Sequence, residues 1–227
     1  MAVLIVLTNW SELGNTGKKT GWYLPEVAHP YHVFKNSGLS ITFASPNGGS
    51  TPMDPSGYEA FKEDPICKEF LEDQSISEQL NSTISLSDVN SALYNVIFYV
   101  GGHGPMFDIP DCEASNTLVA KIYESGGIVS AVCHGTVGLL NVKLSNGSYL
   151  VNGHNITSFT NEEEYAVNLM EAMPFALQTK LEDHGANFHA APVFTNNVQV
   201  SERIVTGQNP ASATGTAEAI VKILNEK

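Results

Sequence analysis

Among the 227 residues of the chain, Cys133 is the first candidate for chemistry. It follows the apolar, largely β-branched run Ile128, Val129, Ser130, Ala131 and Val132. It precedes His134, Gly135 and a set of small and apolar residues at helical spacing, which predicts a buried strand turning sharply into a helix. A side chain on such a bend projects from the carboxyl end of its strand, where open α/β sheets place their ligands. The unpaired N–H groups and positive dipole end of the following helix favour a thiolate there, and hence a nucleophile. The alternative is a small buried hydrophobe, as many intracellular cysteines are.

A nucleophile needs a proton acceptor, an oxyanion site and an orienting group. His134 is adjacent in sequence, but neighbours across a turn diverge. Its main-chain N–H, more than its ring, is therefore the group expected to face an oxyanion above Cys133. A second donor comes from the backbone of Gly102 or His103, in the loop Gly101-Gly102-His103-Gly104-Pro105, whose glycines let the chain approach a ligand closely. Glu162, Glu163 and Glu164 form a compact carboxylate cluster. One of them could fix the tautomer of His134, as in a Cys-His-acid triad, or all three could be a solvated helix start. Glu26 falls in the first turn of a predicted helix, and its spacing alone reads as an acid that complements the helix dipole.

The elements that must position these groups follow from the hydrophobic pattern. Residues 3–8 and 96–100 are continuous apolar runs, expected for central strands with both faces covered. Residues 39–44 predict a second strand, and 198–201 and 204–206, with 188–191, predict strands at the end of the sheet. Short strands are expected at 149–151 and 155–159. Helices are predicted over 25–36, 113–125, 161–173, a further piece reaching 184, and 210–224, with Asn209 as cap of the last and Thr160 with Glu163 in capping-box spacing. Residues 45–57 read as loop and 58–81 as one or two outer helices. Strands alternating with helices predict a mostly parallel sheet covered on both faces, as one α/β domain over 1–227 with insertions near 10–25 and 46–90.

Eleven Lys and Arg against 24 Asp and Glu give a net charge of −13, which argues against nucleic acid and anionic membranes as partners. The opening apolar run is too short to span a membrane and lacks a basic leader, so the expected compartment is the cytoplasm, with the nucleus accessible from it. Cys67, Cys112 and Cys133 have no regular spacing, which argues against a disulfide framework or zinc site. His29, His32, His154, His184 and His189 are scattered outside ligand spacing. No dinucleotide fingerprint or phosphate loop occurs.

Ala131-Val132-Cys133-His134-Gly135, preceded by Tyr99-Val100-Gly101-Gly102-His103-Gly104 and by Glu26, resembles the PfpI/ThiJ superfamily. The stretch Tyr23-Leu24-Pro25-Glu26, the glycine loop with Phe107-Asp108 after it, Phe159 through Glu164, and Thr206 through Ser212 are similar to its heat-shock branch, which carries glutathione-independent glyoxalase (glyoxalase III) activity. The resemblance spans nearly the whole chain. It implies a flavodoxin-like fold with a small cap or extension. It implies that Cys133 is the nucleophile, that Glu26 hydrogen-bonds the thiol and moves protons, and that His134 with an acid after Phe159 completes a triad. Spacing favours Glu164 for that acid, with Glu163 the alternative; Tyr165 after it departs from the family pattern. The implied activity is cofactor-free conversion of a small 2-oxoaldehyde, methylglyoxal, to lactate, protective in carbonyl and oxidative stress. The superfamily also contains protein deglycases, peptidases and holdase chaperones that bind unfolded proteins, and it admits a homodimer; a redox sensor in which Cys133 is oxidised is a further alternative.

Overall fold

Apolar residues at successive positions of a strand face opposite sides of a sheet, so an uninterrupted apolar run demands cover on both faces. In the computed structural model, which describes residues 1–226, strand β1 (Ala2–Val6) meets that demand. Val3 and Ile5 pack into one core, and Leu4 and Val6 into the other. Helix α1 (Leu24–Asn36) returns the chain to β2 (Ser40–Ser45). Three short helices follow, α2 (Pro55–Phe61), α3 (Pro65–Glu72) and α4 (Gln74–Leu80), and then a two-residue strand β3 (Ile84–Ser85). These helices correct the reading of 45–81. The chain turns helical at Pro55, and three starts are capped by the side chains of Asp54, Asp64 and Asp73, two of them followed by proline.

β4 (Val96–Tyr99) leads through α5 (Pro105–Asp108) and α6 (Glu113–Glu124) to β5 (Ile128–Val132), which is buried at every position. Helix α7 (Val137–Leu140), strand β6 (Asn155–Ile156) and helices α8 (Asn161–Ala166) and α9 (Leu177–Asp183) come next. Strands β7 (Asn187–Phe188), β8 (Val198–Ser201) and β9 (Ile204–Gly207) precede the final helix α10 (Ala213–Asn225).

The main sheet has seven strands in the order β3-β2-β1-β4-β5-β9-β8. All its pairings are parallel except β8 with β9, and α1 and α10 cover one face while α6, α7 and α9 cover the other. This is the expected flavodoxin-like α/β architecture. Chain order reverses between β1 and β4, and the crevice at the carboxyl ends of strands beside such a switch is where α/β sheets bind ligands. No helix among the described residues is long and apolar enough to cross a membrane.

Several expectations need correction. The segment 149–151 is not a strand, and β7 pairs with β6 in a separate two-stranded sheet instead of joining the main one. The helix expected over 161–173 ends at Ala166 because Asn168 adopts φ 58, and the N–H of Leu169 returns to the Glu164 carbonyl while that of Asn168 bonds Tyr165, a left-handed stop. Asn209 makes no side-chain cap; residues 210–212 form a single tight turn before α10.

Candidate active site

Cys133 has φ 58, in the left-handed region that non-glycine residues seldom enter. The strain comes from changing course at once, from the buried strand β5 into the tight turn Cys133–Thr136. That course is possible only because the neighbouring backbone carries no side chains. A Cβ on Gly135 would lie 2.5 Å from the Tyr99 carbonyl oxygen, and one on Gly101 would lie 2.4 Å from Oε2 of Glu26 and 2.8 Å from Cβ of Cys133. The glycine loop after β4 is therefore what lets the acid of α1 reach the cysteine of β5.

Glu26 is fully buried, on the first turn of α1. Neither of its carboxyl oxygens makes a hydrogen bond of normal geometry among the described residues; they face the Cys133 thiol and the Gly101 backbone. Burial pushes its pKa up to about 8, with the contacts to Cys133 and Gly101 opposing the rise. Burial, and then the nearby Glu26, also push the Cys133 thiol well above its ordinary value, against the lowering influence of the His134 backbone N–H. This corrects the expectation that the helix start makes the resting cysteine a thiolate: desolvation at 4% exposure outweighs the turn's dipole. The pair cannot be fully ionised together and holds a proton near neutrality.

His134 departs from expectation in the other direction. Its Nδ1 lies 3.4 Å from Sγ of Cys133, so the ring as well as the backbone faces the sulfur. Its Nε2 is 2.5 Å from Oε2 of Glu164. The ring packs against His103, with centroids 4.3 Å apart, and against Phe159 at 4.5 Å, both at a tilt. Burial lowers the pKa of His134, which favours the neutral imidazole. Burial alone would raise the pKa of Glu164, but the His134 and His103 imidazoles pointing at it hold the carboxyl well below the usual range. An ionised Glu164 fixes the proton of His134 on Nε2 and leaves the Nδ1 lone pair toward the thiol. His103, expected to act through its backbone, also reaches this acid, with Nε2 at 2.9 Å from Oε1.

The three consecutive glutamates separate cleanly. Glu162 is exposed. Glu163 closes the capping box with Thr160 and accepts from the Phe194 N–H and the Asn209 amide, each at 2.8 Å. Glu164 alone meets His134. Gly102 and His103 line the same cleft as Glu26, Cys133 and His134; its volume is about 600 Å³, and its remaining wall includes Leu13, Lys18, Lys19, Tyr23, Asp54, Phe159, Val167, Leu169 and Phe194. Sequence spacing gives no signal for Tyr23 as a group for chemistry; burial and the nearby Glu26 raise its phenol to about 12, so it stays a neutral donor. The nitrogen and oxygen atoms of His103, His134 and Glu164 lie within 4.8 Å of one another, as do ligand atoms of His29, Asp64 and Cys67. These are spatial groupings that sequence spacing does not show.

Fold and site define a flavodoxin-like α/β protein with a cysteine on the bend after a central strand and a buried acid against it. The chain belongs to the DJ-1/PfpI family, whose profile matches residues 22–223. A glutathione-independent glyoxalase of Schizosaccharomyces pombe is 32% identical over 98% of this chain and 97% of its own. The crystal structure of glyoxalase III from Candida albicans superposes with a TM-score of 0.90 at 30% identity, covering 98% of this chain and 96% of that one. The Rapid Encystment Protein 24 KDa of Francisella tularensis gives 0.94 at 36% identity, with 98% of each chain covered.

Proposed function

We propose that this protein is a glutathione-independent glyoxalase that converts methylglyoxal to lactate, with Cys133, Glu26, His134 and Glu164 as its catalytic machinery. The observation that carries the reading is the fully buried Glu26 carboxyl, which meets no cation among the described residues and faces the Cys133 thiol and the Gly101 backbone. An acid buried only for structure is ordinarily paired. The names of the near-full-length relatives support the same reaction class.

The thiol adds across the aldehyde C=O: an S–C bond forms, the C=O π bond breaks, and the oxygen takes a proton to give a hemithioacetal. The Nδ1 lone pair of His134 receives the thiol proton, the ring being held by Glu164. The developing oxyanion faces the backbone N–H of His134 and the Gly102–His103 loop. Glu26 gives its own proton to that oxygen and, now a carboxylate, removes the proton from C1, giving an enediol, and returns it to C2. C1 is thereby oxidised and C2 reduced, with no external electron acceptor, leaving a lactoyl thioester on Cys133. Water breaks the S–C bond, releasing lactate and restoring the thiol. A carboxyl with a pKa of about 8 suits this, since it accepts and returns a proton near neutrality.

The test is purified protein with methylglyoxal and no glutathione, with lactate assayed enzymatically. Lactate should accumulate in proportion to methylglyoxal consumed. Loss of methylglyoxal without lactate would show simple adduct formation and overturn the proposal.

A further inference from the structure

The cleft is large for the substrate just assigned. Its 600 Å³ falls among pockets of about 300–1,000 Å³ that hold drug-sized ligands, and a three-carbon 2-oxoaldehyde on Sγ of Cys133 leaves most of it unfilled. The lining is mixed in character: Glu26, His134 and His103 gather at the sulfur, Phe159 packs against the His134 ring, and Leu169 and Phe194 line the same cleft.

Phe194 is held there at a cost. Its φ of 57 is an outlier for a bulky residue, and at 48% exposure its ring is not placed by core packing. What fixes it is Glu163, which is fully buried and accepts the Phe194 N–H on the same oxygen that holds the Asn209 amide; the other oxygen closes the capping box of α8. Phe194 lies 6.3 Å from Phe159 between centroids, and Phe159 lies against His134. Aromatic surface thus runs from the catalytic histidine to the mouth of the cleft.

We infer that Phe194, positioned by Glu163, forms with Phe159 an apolar subsite for the substituent of a 2-oxoaldehyde, and that the protein favours substrates whose carbonyl carries an aromatic group over methylglyoxal. This rests on the glyoxalase reading above. The chemistry at Cys133 is unchanged, because the substituent takes no part in the proton transfer; phenylglyoxal plus water gives mandelate.

The experiment compares kcat/KM for phenylglyoxal and methylglyoxal in the wild type, Phe194→Ala and Glu163→Gln, with mandelate and lactate as products. Wild type should favour phenylglyoxal by about tenfold, the scale of an apolar substituent filling a matching pocket. Phe194→Ala should lower that ratio by about tenfold, mainly through KM. Glu163→Gln, which loses an acceptor from the Phe194 and Asn209 pair or from the capping box, should move the ratio in the same direction; a merely structural role would depress both substrates alike. A wild type that forms lactate with no preference, or a ratio that Phe194→Ala leaves unmoved, overturns the subsite and spares the glyoxalase reading. A wild type that forms neither acid overturns both. Because Phe194 is half exposed, its alanine variant should fold even if the Glu163 variant does not.

Discussion

Of two buried carboxyls near the bend, Glu26 faces the Cys133 thiol and Glu164 faces the His134 ring, and the protein keeps them in opposite states. Glu26 on α1 has no hydrogen bond of normal geometry among the described residues, and burial lifts its pKa to about 8. Glu164 on α8 is also desolvated, though less completely, yet the imidazoles of His134 and His103 hold it far down. The difference teaches that burial alone does not decide what an acid does; its partners do. An acid that faces a thiol and one backbone group, with no cation beside it, keeps a proton near neutral pH, whereas one held between two imidazoles stays ionised.

The comparison breaks most completely at its centre. Cys133→Ser should reduce lactate formation by several orders of magnitude with little change in melting temperature, since the hydroxyl is nearly isosteric but a far weaker nucleophile. More than about a tenth of the wild-type rate would sink covalent catalysis. Glu26→Gln should cost about a hundredfold or more in rate and, unlike most active-site changes, should stabilise the fold. The sign follows from the folded pKa of about 8 lying above the ordinary 4.5. The favourable contribution of the protonated carboxyl is fully present below 4.5 and is lost as pH rises through 8. Melting curves of wild type and variant should therefore run close together near pH 4 and diverge by up to about 5 kcal/mol in favour of Gln above pH 8. Unchanged turnover in the variant would return Glu26 to a helix-dipole role.

On the other side, replacing the three glutamates singly by Gln should rank them Glu164, Glu163, Glu162. We expect about tenfold to a hundredfold for Glu164→Gln, less for Glu163→Gln and less than about twofold for the exposed Glu162→Gln. His134→Asn combined with Glu164→Gln should be scarcely worse than the harsher single change, because the two act as a unit. Equal, mild effects from all three glutamates would reduce the cluster to a capped helix start. The smallest effect is on acid stability. The depressed pKa of Glu164 means that its contribution is present above the ordinary carboxylate pKa and fades as pH falls below it. The acid limb of a pH–melting profile should be shallower in Glu164→Gln, and an identical limb would remove the imidazole pairing from the account.

The framework was legible where the physics is local. Apolar runs marked β1, β2, β4 and β5, and β5 followed by Cys-His-Gly marked the bend. The Thr160–Glu163 spacing marked a capping box, which engages Glu163 and leaves Glu164 for His134. What stayed hidden depends on contacts far apart in sequence. Spacing made Glu26 a dipole partner because nothing local shows Gly101 leaving room for its carboxyl against the cysteine. His103 was expected to act through its backbone, since its meeting with Glu164 joins residues 61 apart. Phe194 sits in a loop without periodicity, and only the Glu163 bond explains its backbone. Asn168 did carry a local signal, a residue tolerant of left-handed geometry, that could have ended the helix at the right place.

The placement of β5 in the sheet also has a kinetic meaning. Cys133 and Glu26 are brought together across β1, β4 and β5, and β9, which closes β5, comes from near the end of the chain. Parallel pairings of this kind close long loops before they are rewarded, so they form late. Until then Cys133 is an ordinary accessible thiol, with a pKa of about 8.5 and open to oxidants. Its distinctive chemistry is therefore expected only once these long-range pairings are in place. During refolding from denaturant, recovery of lactate formation should therefore coincide with the slowest phase, and the alkylation rate of Cys133 should change in that same phase.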